Sequence, residues 1–255
     1  MTNSVAESSP IILTYHSISS GPGPLCLSRE LFREQIEWLQ ENTQVVPLSA
    51  LVDALARGVS FARRMVAITF DDGYADFYHS AAPLLGRAQL PATVFLPTQF
   101  CGRTSTWDGQ SADLRGQPIL SWPQIRELAE HGVVFGSHTA THPELQKLSS
   151  DAIEYEIRAS NAEIETHTGA PVQLFCYPYG QYNAAVREVV ARHYRAACST
   201  ILSPMADGTD LFALPRLDVY YLRNKAIFRG LFTSRINAYL AFRRLVRAVR
   251  QCTGW

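Results

Sequence analysis

Short apolar runs recur along the chain, each bounded by polar residues, glycine or proline. Runs of this length that are rich in β-branched and aromatic residues are typical of buried β-strands. From the N-terminus to the C-terminus they are IILTYH, QVVPL, MVAITF, ATVFLP, GVVFGSH, QLFCYPY, RAACS and LFALPRLDV. The pattern therefore predicts eight buried strands.

Between these runs, apolar residues recur at helical spacing behind residues that favour helix starts. The segment SRELFREQIEWLQEN has Ser28 as its predicted N-cap. In SWPQIRELAEHG, Ser121 and Gln124 are placed to form a capping box, and Gly132 is the expected stop. SSDAIEYEIRASNAEIETHTG is expected to end at Gly169. These segments predict helices that alternate with the strands.

Alternation of strand and helix along the whole chain predicts parallel β/α units. About seven such units in one domain favour a closed or nearly closed α/β barrel. An open, doubly wound sheet is the alternative. The predicted organisation is a flexible N-terminus at residues 1–10, the barrel at 11–225 and a basic helical tail at 226–255.

Composition and charge narrow the class of protein. The 255 residues are 47% hydrophobic and 18% charged, as in ordinary soluble globular proteins. Lys and Arg together number 23, as do Asp and Glu, so no net charge attracts nucleic acid. Five scattered cysteines without a C-x-x-C pair argue against a disulfide framework or a thiolate zinc site. Because MTNSVAESSP has no signal-peptide pattern, we expect a cytoplasmic protein.

Four of the runs pass directly from apolar residues into polar or ring residues at their C-terminal ends. They are IILTYH, MVAITFDDG, GVVFGSH and LFCYPYG. The carboxyl ends of the strands of a β/α barrel open on one face, so we expect these polar residues to converge there.

The segments SHTATH and DDG suggest metal chemistry, although each has an ordinary alternative. The spacing of His138 and His142 puts both imidazoles on one side of a helical turn, but such pairs are also common as surface or capping histidines. Asp71 and Asp72 could simply cap a helix. Together, one carboxylate and two imidazoles make a facial set of three metal ligands. The second carboxylate is then left to act as a base.

TFDDGY, SHTATH and FCYPYG, taken in order, resemble the first three motifs of the polysaccharide deacetylases, the NodB-homology domain of carbohydrate esterase family 4. The resemblance extends from about Ile11 to Val219. It implies a distorted (β/α)7 barrel in a single domain. It also implies a hydrolase that uses one divalent metal ion to remove an N-acetyl, or sometimes O-acetyl, group from a sugar.

The resemblance also implies a role for each motif residue. Asp72, His138 and His142 would hold the ion, and Asp71 would be the general base. The backbone N–H of Tyr179 would stabilise the oxyanion. A divalent ion lowers the pKa of water and polarises an acyl carbonyl. This ligand set accepts zinc, cobalt, nickel or manganese, of which we expect zinc.

The chain departs from the usual pattern of the family in two places. The arginine of the third motif is missing, and no Leu-x-His motif follows the last histidine, His193. A circular permutation, as in the similar poly-N-acetylglucosamine deacetylases of bacterial biofilms, accounts for both absences. It makes His16 the general acid and Arg216 the partner of Asp71, with Asp218 orienting His16. Without the resemblance, a structural histidine and a solvent-facing arginine are the alternatives.

Adjacent residues of a strand point to opposite faces, so Asp71 and Asp72 could not serve one site from within a strand. We expect the strand to end at Phe70 and the chain to turn at Gly73, which lets both carboxylates reach the mouth of the barrel. Binding of Asp72 to a cation would relieve the repulsion between the carboxylates and leave Asp71 ionised.

The tail SRINAYLAFRRLVRAVRQCTGW predicts a basic amphipathic helix with Ile236, Leu240, Leu245 and Val249 near one stripe. Arginines occupy the rest of its surface: Arg235, Arg243, Arg244, Arg247 and Arg250. The helix either lies on an anionic membrane surface or docks on the barrel with its arginines solvated. A peripheral membrane contact would suit an enzyme that acts on a lipid-linked sugar.

Three functions therefore compete. The first is a metal-dependent deacetylase that removes an N-acetyl group from an amino sugar or glycan precursor. The second is a deacylase or deformylase of another sugar or natural product that carries a small amide or ester. The third is a carbohydrate-binding homologue without catalysis, which the presence of both Asp71 and Asp72 disfavours.

Overall fold

Strands form where the apolar runs predict them. The computed structural model describes residues 9–253 of the chain. Its strands are β1 (Ile11–Tyr15), β2 (Gln44–Val45), β3 (Met65–Phe70), β4 (Thr93–Leu96), β5 (Val134–Ser137), β6 (Leu174–Cys176), β7 (Ala196–Cys198) and β8 (Leu217–Asp218). Each of the eight apolar runs contains one strand, which confirms their positions, although β2 is not buried.

The sheet is parallel throughout and curls into a barrel. Its strand order is β7-β6-β5-β4-β3-β1-β8, and β2 pairs with β3 outside this path. The two ends of the sheet meet at an isolated bridge between Cys198 and Leu214, where the Ser199 N–H donates to the Leu214 carbonyl at 2.9 Å. The chain is therefore one α/β domain with a distorted, incompletely paired barrel, as the sequence predicts.

Helices connect the strands, and their ends carry the predicted caps. They are α1 (Arg29–Asn42), α2 (Leu48–Ala56), α3 (Ala82–Ala88), α4 (Trp122–Glu130), α5 (Ser150–Thr168), α6 (Ala184–His193), α7 (Lys225–Arg229) and α8 (Ser234–Thr253). Ser28 caps α1 by accepting from the Leu31 N–H at 3.2 Å, and Gln124 completes the capping box of α4 with Ser121. Gly169 ends α5 in the left-handed conformation that glycine adopts without strain.

Alternate residues of the strands belong to two separate layers of the core. Leu13 and Ile68 face outward and pack with residues of the surrounding helices. Ile12, Ala67 and Phe95 face inward and pack with apolar residues of α2. Towards the carboxyl ends of the strands the inward positions become polar. The fold therefore closes one end of the barrel with apolar packing and leaves polar side chains at the other.

The C-terminal helix α8 docks on the barrel, but not through the stripe that the sequence suggested. Ile236 and Leu240 are buried against the barrel. Leu245 and Val249 are 64% and 53% exposed. The expectation that all four lie near one stripe is therefore wrong. The nine residues from Ile236 to Leu245, and from Leu240 to Val249, span about two and a half helical turns, which puts the second pair on the opposite side of the helix.

Arginines make the inward contacts of the second half of α8. Arg247 donates to the Thr200 carbonyl at 2.9 Å and to the Thr200 hydroxyl at 3.2 Å. Arg244 donates to the Leu202 carbonyl at 3.0 Å. Arginines expected to be solvated thus hold the helix to the loop that follows β7. The side chain of Arg250, the last arginine of this set, lies outside the described part of the chain.

Both ends of the chain lie only partly within the described residues. Residues 1–8 of the N-terminus that we expected to be flexible are outside them, while Pro10 is buried and its carbonyl accepts from the Met205 N–H at 2.8 Å. Among residues 9–253, no helix is both long enough and apolar enough to cross a membrane.

Candidate active site

A cavity of about 330 Å³ opens at the carboxyl end of the sheet. The structure brings all of the site residues predicted from the sequence into its wall: His16, Asp71, Asp72, His138, His142, Tyr179, Arg216 and Asp218. These residues lie in or next to five different strands, and they meet because parallel strands end on the same face.

The strand pattern itself directs several of these side chains into the cavity. In β3 the inward row passes from Ala67 through Thr69 to Asp71, each two residues after the last. In the same way His16 lies one position beyond the end of β1, and His138 one position beyond the end of β5. Because alternation continues across the end of the strand, the first inward-facing residue beyond the strand enters the cavity.

Asp72 reaches the same cavity because the chain reverses at this residue. The strand ends at Phe70, as predicted, but the turn begins at Asp72, with φ 67°, and continues through Gly73, with φ 61°. The expectation that Gly73 alone makes the turn is thus incomplete. A Cβ at Gly73 would lie 2.6 Å from Leu96 Cδ2, so a larger residue here would also require the buried Leu96 side chain to shift.

Backbone strain is concentrated around the cavity. Among the described residues, six other than glycine have positive φ, and four of them lie at this site: Asp72, Thr139, His142 and Tyr179. Each such conformation costs on the order of 1 kcal/mol and is kept only where the surroundings enforce it. The strained backbone thus supports the assignment of this cavity as the functional site.

Asp72, His138 and His142 form a compact set of potential metal ligands. Asp72 Oδ1 lies 3.4 Å from the Nε2 atom of each histidine, and the two Nε2 atoms are 3.2 Å apart. His138 Nδ1 donates to the Cys176 carbonyl at 2.7 Å, which leaves Nε2 as the ring nitrogen that faces the set. Facing lone pairs this close repel one another unless a proton or cation lies between them. The residues present therefore fit a divalent ion.

The pKa values of the set follow from burial and mutual contact. Burial disfavours the charged form of Asp72, but the hydrogen bonds of both histidines outweigh it and hold its pKa well below the usual range. Burial acts to lower the pKa of His138, but the effects of Cys176 and Asp72 outweigh burial and raise it. For His142 burial dominates and lowers the pKa, so the imidazole is neutral. Asp72 is thus ionised and His142 is available as a ligand.

Asp71 is paired instead with Arg216. The guanidinium binds the carboxylate in a bidentate manner, with NH1 to Oδ1 and NH2 to Oδ2 both at 2.7 Å. Both side chains are buried. Burial raises the pKa of Asp71, but the charge and hydrogen bonds of Arg216 outweigh this effect and lower it. The buried base is therefore held in its ionised form.

Cys176 is a neighbour of this ion pair that sequence reasoning did not include. Its thiol donates to Asp71 Oδ2 at 3.6 Å, and Arg216 NH2 lies 3.0 Å from the sulfur. Burial raises the pKa of Cys176 to about 11, so the sulfur remains protonated. Asp71, His138 and Cys176 also lie close enough together to hold an ion. Because Asp71 is paired with arginine and the sulfur is protonated, this second set is a poor ligand set for a cation.

His16 lines the same cavity as the metal ligands. Its Nε2 atom is 3.9 Å from Asp71 Oδ2, so the two groups flank a small space without a direct hydrogen bond. Asp218 also lines the cavity, but its Oδ1 accepts from the Tyr220 N–H at 2.8 Å. Within residues 9–253, no hydrogen bond joins Asp218 to His16. The predicted orienting contact is therefore not formed, and the carboxylate instead caps the turn that follows β8.

Tyr179 occupies a tight turn after β6, with φ 58°. The hydrogen bonds of this turn are donated by Gly180 to the Tyr177 carbonyl at 2.8 Å and by Gln181 to the Pro178 carbonyl at 3.2 Å. The Tyr179 N–H makes none within the described residues, so it is available to a ligand. Beside the turn, the Tyr179 ring packs edge-on against His142, with ring centroids 4.7 Å apart.

Glu156 is a second residue that the sequence did not reveal as part of the site. This buried carboxylate on α5 accepts from the backbone N–H groups of Ala140 and Thr141 at 2.9 and 2.8 Å. It also accepts from the Thr141 hydroxyl at 2.7 Å. These bonds fix the loop that carries His138 and His142. An acidic residue in the middle of a helix gives no local signal of such a role, because its partners lie 15 or 16 residues away.

The chain belongs to the polysaccharide deacetylase family, whose sequence model matches residues 58–196, more than half of its length. This match includes both aspartates and both histidines of the proposed ligand and base set. Family membership thus rests on the same residues that line the cavity.

Individual relatives extend the similarity beyond the matched segment. YxkH of Bacillus subtilis (strain 168) is 28% identical over 82% of this chain and 70% of its own length. Poly-beta-1,6-N-acetyl-D-glucosamine N-deacetylase of Escherichia coli (strain K12) is 27% identical over 72% of this chain, but the match spans only 32% of that enzyme. The structure of Streptococcus pyogenes deacetylase PplD in complex with acetate has a TM-score of 0.71 and 26% identity, covering 82% of this chain and 92% of that one.

Proposed function

We propose that the protein is a metal-dependent hydrolase that removes the N-acetyl group from an amino sugar or glycan precursor. One observation supports this function above all others. The adjacent carboxylates of Asp71 and Asp72 have different buried partners, an arginine for one and two imidazoles for the other. A site with only a structural role would not need one ionised carboxylate beside a separate ligand set.

Asp72, His138 and His142 would hold the ion, and zinc is the ion we propose, because two imidazoles and one carboxylate suit it well. When bound, a divalent ion polarises the acyl carbonyl and lowers the pKa of water in its surroundings. Burial of the three ligands excludes bulk water and strengthens these effects.

The remaining steps of the reaction are carried out by residues of the protein. Asp71 takes a proton from the attacking water, and Arg216 keeps the carboxylate ionised beforehand. The Tyr179 N–H donates to the oxygen that becomes negative as the carbonyl carbon turns tetrahedral. As the C–N bond breaks, its electron pair goes to nitrogen, and His16 Nε2 supplies the proton that makes it an amine. Water and amide thereby become carboxylic acid and amine.

The relatives indicate the class of acylated sugar that serves as the substrate. The E. coli relative is named for poly-beta-1,6-N-acetyl-D-glucosamine, but this chain matches about a third of it. PplD carries acetate in its structure. We therefore propose an N-acetylated glucosamine unit, alone or within a glycan. The protein is proposed to act in the cytoplasm, on a sugar joined to a lipid carrier and in contact with the inner surface of the membrane.

Acid release from a panel of substrates tests this function. The zinc-loaded protein is incubated with β-1,6-linked N-acetylglucosamine oligomers, the free N-acetylated sugar, a lipid-linked N-acetylated sugar and their N-formylated counterparts. Acetate and formate are then quantified. We expect acetate from at least one N-acetylated compound. Formate alone would assign the protein to the deformylases instead. If a fully metal-loaded protein released no acetate and no formate, that result would contradict the proposed function.

A further inference from the structure

The second half of α8 presents an apolar surface to solvent. Phe242, Leu245 and Val249 are 58%, 64% and 53% exposed. Spacings of three and four residues place them on one side of the helix. We call this surface the outer face of α8; it consists of Ala238, Ala241, Phe242, Leu245, Ala248 and Val249, all of them exposed.

The opposite side of α8 is held to the barrel by polar contacts, so the outer face cannot turn inward without breaking them. Arg247 donates to Thr200 and Arg244 to the Leu202 carbonyl. The guanidinium of Arg243 lies over the Tyr221 ring, 4.8 Å from its centroid. An ordinary surface helix buries its apolar stripe and solvates its charges. In this half of α8 the arrangement is reversed.

The end of the chain that contains α8 is also strongly basic. Residues 219–255 contain no Asp or Glu and eight cationic residues: Arg223, Lys225, Arg229, Arg235, Arg243, Arg244, Arg247 and Arg250. The whole chain has 23 residues of each sign, so residues 1–218 hold 15 cationic and 23 acidic ones. A chain of zero formal charge is thus divided into an acidic body and a basic end.

We propose that the outer face of α8 docks on the surface of an anionic lipid bilayer. An exposed apolar face on a helix surrounded by cations is the composition of helices that lie in the lipid headgroup region. Phe242 and Leu245 would insert beneath the headgroups while the basic end is attracted to their phosphates. A second copy of the chain is a poorer occupant, because pairing two outer faces would bring two basic ends together.

Docking in this way would place the bilayer beside the active-site cavity. Arg247 of α8 lines that cavity, as does Tyr221, whose ring lies beneath the Arg243 guanidinium of the same helix. The helix is therefore part of the cavity wall. A bilayer beside the cavity favours an acylated sugar on a lipid carrier as the substrate, an inference that rests on the proposed function. Bilayer docking itself does not depend on catalysis.

Vesicle flotation tests the docking. The full chain is mixed with vesicles of phosphatidylcholine and phosphatidylglycerol, or of phosphatidylcholine alone, and the floating fraction is measured at low and high salt. We expect flotation with the anionic vesicles that weakens with salt. The double variant Phe242→Ser, Leu245→Ser should lower the partition coefficient at least about tenfold. Tyr155→Ser removes a 61% exposed aromatic from α5 and should bind as wild type does.

The alternatives have distinct outcomes. No flotation of the wild-type chain, or equal loss in the double and the Tyr155→Ser variants, would overturn the proposal. A dimer in light scattering that becomes a monomer in the double variant would assign the outer face to a second copy. Circular dichroism confirms that each variant is folded. Asp71→Asn should float as wild type does, which separates membrane docking from catalysis.

Discussion

Asp71 and Asp72 are adjacent and buried to a similar extent, but their carboxylates share no hydrogen-bond partner among the described residues. Asp71 binds a guanidinium through two hydrogen bonds of 2.7 Å, while Asp72 faces two imidazoles at 3.4 Å. In both cases the partners outweigh burial and lower the pKa. Two ionised carboxylates can lie side by side here because each has its own positive or metal-binding counterpart.

Replacement of Arg216 by methionine should shift the pH dependence of the enzyme. Burial, the largest effect, would then be opposed only by the smaller effects of His138 and His16, and the pKa of Asp71 would rise. A base must be ionised to accept a proton, so the acid limb of the pH profile of kcat/KM should move to higher pH. Breaking a buried pair should also cost roughly 3–5 kcal/mol of unfolding free energy. Activity across pH and thermal unfolding measure the two effects.

The matched control for this substitution is Arg187→Met, which breaks the partly exposed pair of Arg187 with Asp210. An exposed ion pair contributes about 0–1 kcal/mol, so this variant should keep both the pH profile and most of the stability. An unchanged acid limb in Arg216→Met, with activity retained, would contradict the role of Arg216.

His16→Gln should show a dependence on the leaving group. An amine must gain a proton to leave, whereas an activated aryl acetate loses a stable phenolate without one. Loss of a general acid should reduce kcat on the amide by roughly 10²–10⁴-fold and affect the aryl ester much less. The two rates are compared with those of His79→Gln, which changes an exposed histidine. Equal losses on amide and ester would remove His16 from the acid role.

At the scale of elements, α5 supports a loop to which it contributes no ligand. Glu156 holds Ala140 and Thr141 between the two histidine ligands. Glu156→Ala would leave the buried N–H of Ala140 and the partly buried N–H of Thr141 unpaired, at about 1–3 kcal/mol for the buried one. We expect zinc affinity to fall about 10–100-fold, as for other residues that orient metal ligands. Competition with a fluorescent chelator measures the affinity.

Two further variants of α5 separate positioning from general instability. Glu156→Gln keeps a carbonyl oxygen for the two N–H groups and an amide donor for the Thr141 hydroxyl, so it should recover most of the zinc affinity. Glu163→Ala, at an exposed position of the same helix, should leave it unchanged. Wild-type affinity in Glu156→Ala would show that the loop keeps its shape without the carboxylate.

Local patterns in the sequence predicted the elements well. Each of the eight strands, and caps such as Ser28 and Gly169, depends on residues that are close together in the chain. The convergence of the site residues could also be predicted, since parallel strands end on one face. Family resemblance was needed for Arg216, because nothing in the sequence next to it reveals that it meets Asp71.

Features that depend on distant contacts were missed or wrong. Cys176 touches Arg216 across 40 residues of sequence, and nothing near either residue signals the contact. Periodicity in α8 predicted a helix correctly but could not say which face would meet the barrel. In the second half of α8 the arginines face the barrel, because the loop after β7 supplies polar acceptors such as the Thr200 carbonyl.

For the whole molecule, the ion should act as a cross-link between the ends of β3 and β5. Binding only to the folded state stabilises it by about 2.7 kcal/mol when the free ion is at 100 times its Kd. For a chain of this size, each kcal/mol of stabilisation raises the Tm by roughly 2–4 °C. Zinc should therefore raise the Tm by roughly 5–10 °C relative to protein from which a chelator has removed the metal. Differential scanning calorimetry measures the shift.

The zinc-dependent rise in Tm should disappear in the double variant His138→Ala, His142→Ala. It should persist in His131→Ala, which changes an exposed histidine outside the cavity. A shift that survives loss of both cavity histidines would place the ion elsewhere in the chain.

The division of roles between Asp71 and Asp72 is the central claim, and one comparison tests it directly. Zinc content and acetate release are measured together for wild type, Asp71→Asn and Asp72→Asn on the best N-acetylated substrate. We predict that Asp71→Asn retains about one zinc per chain but loses at least roughly 10²-fold in kcat, whereas Asp72→Asn loses the zinc as well. Undiminished acetate release by Asp71→Asn, or loss of its zinc, would contradict the account.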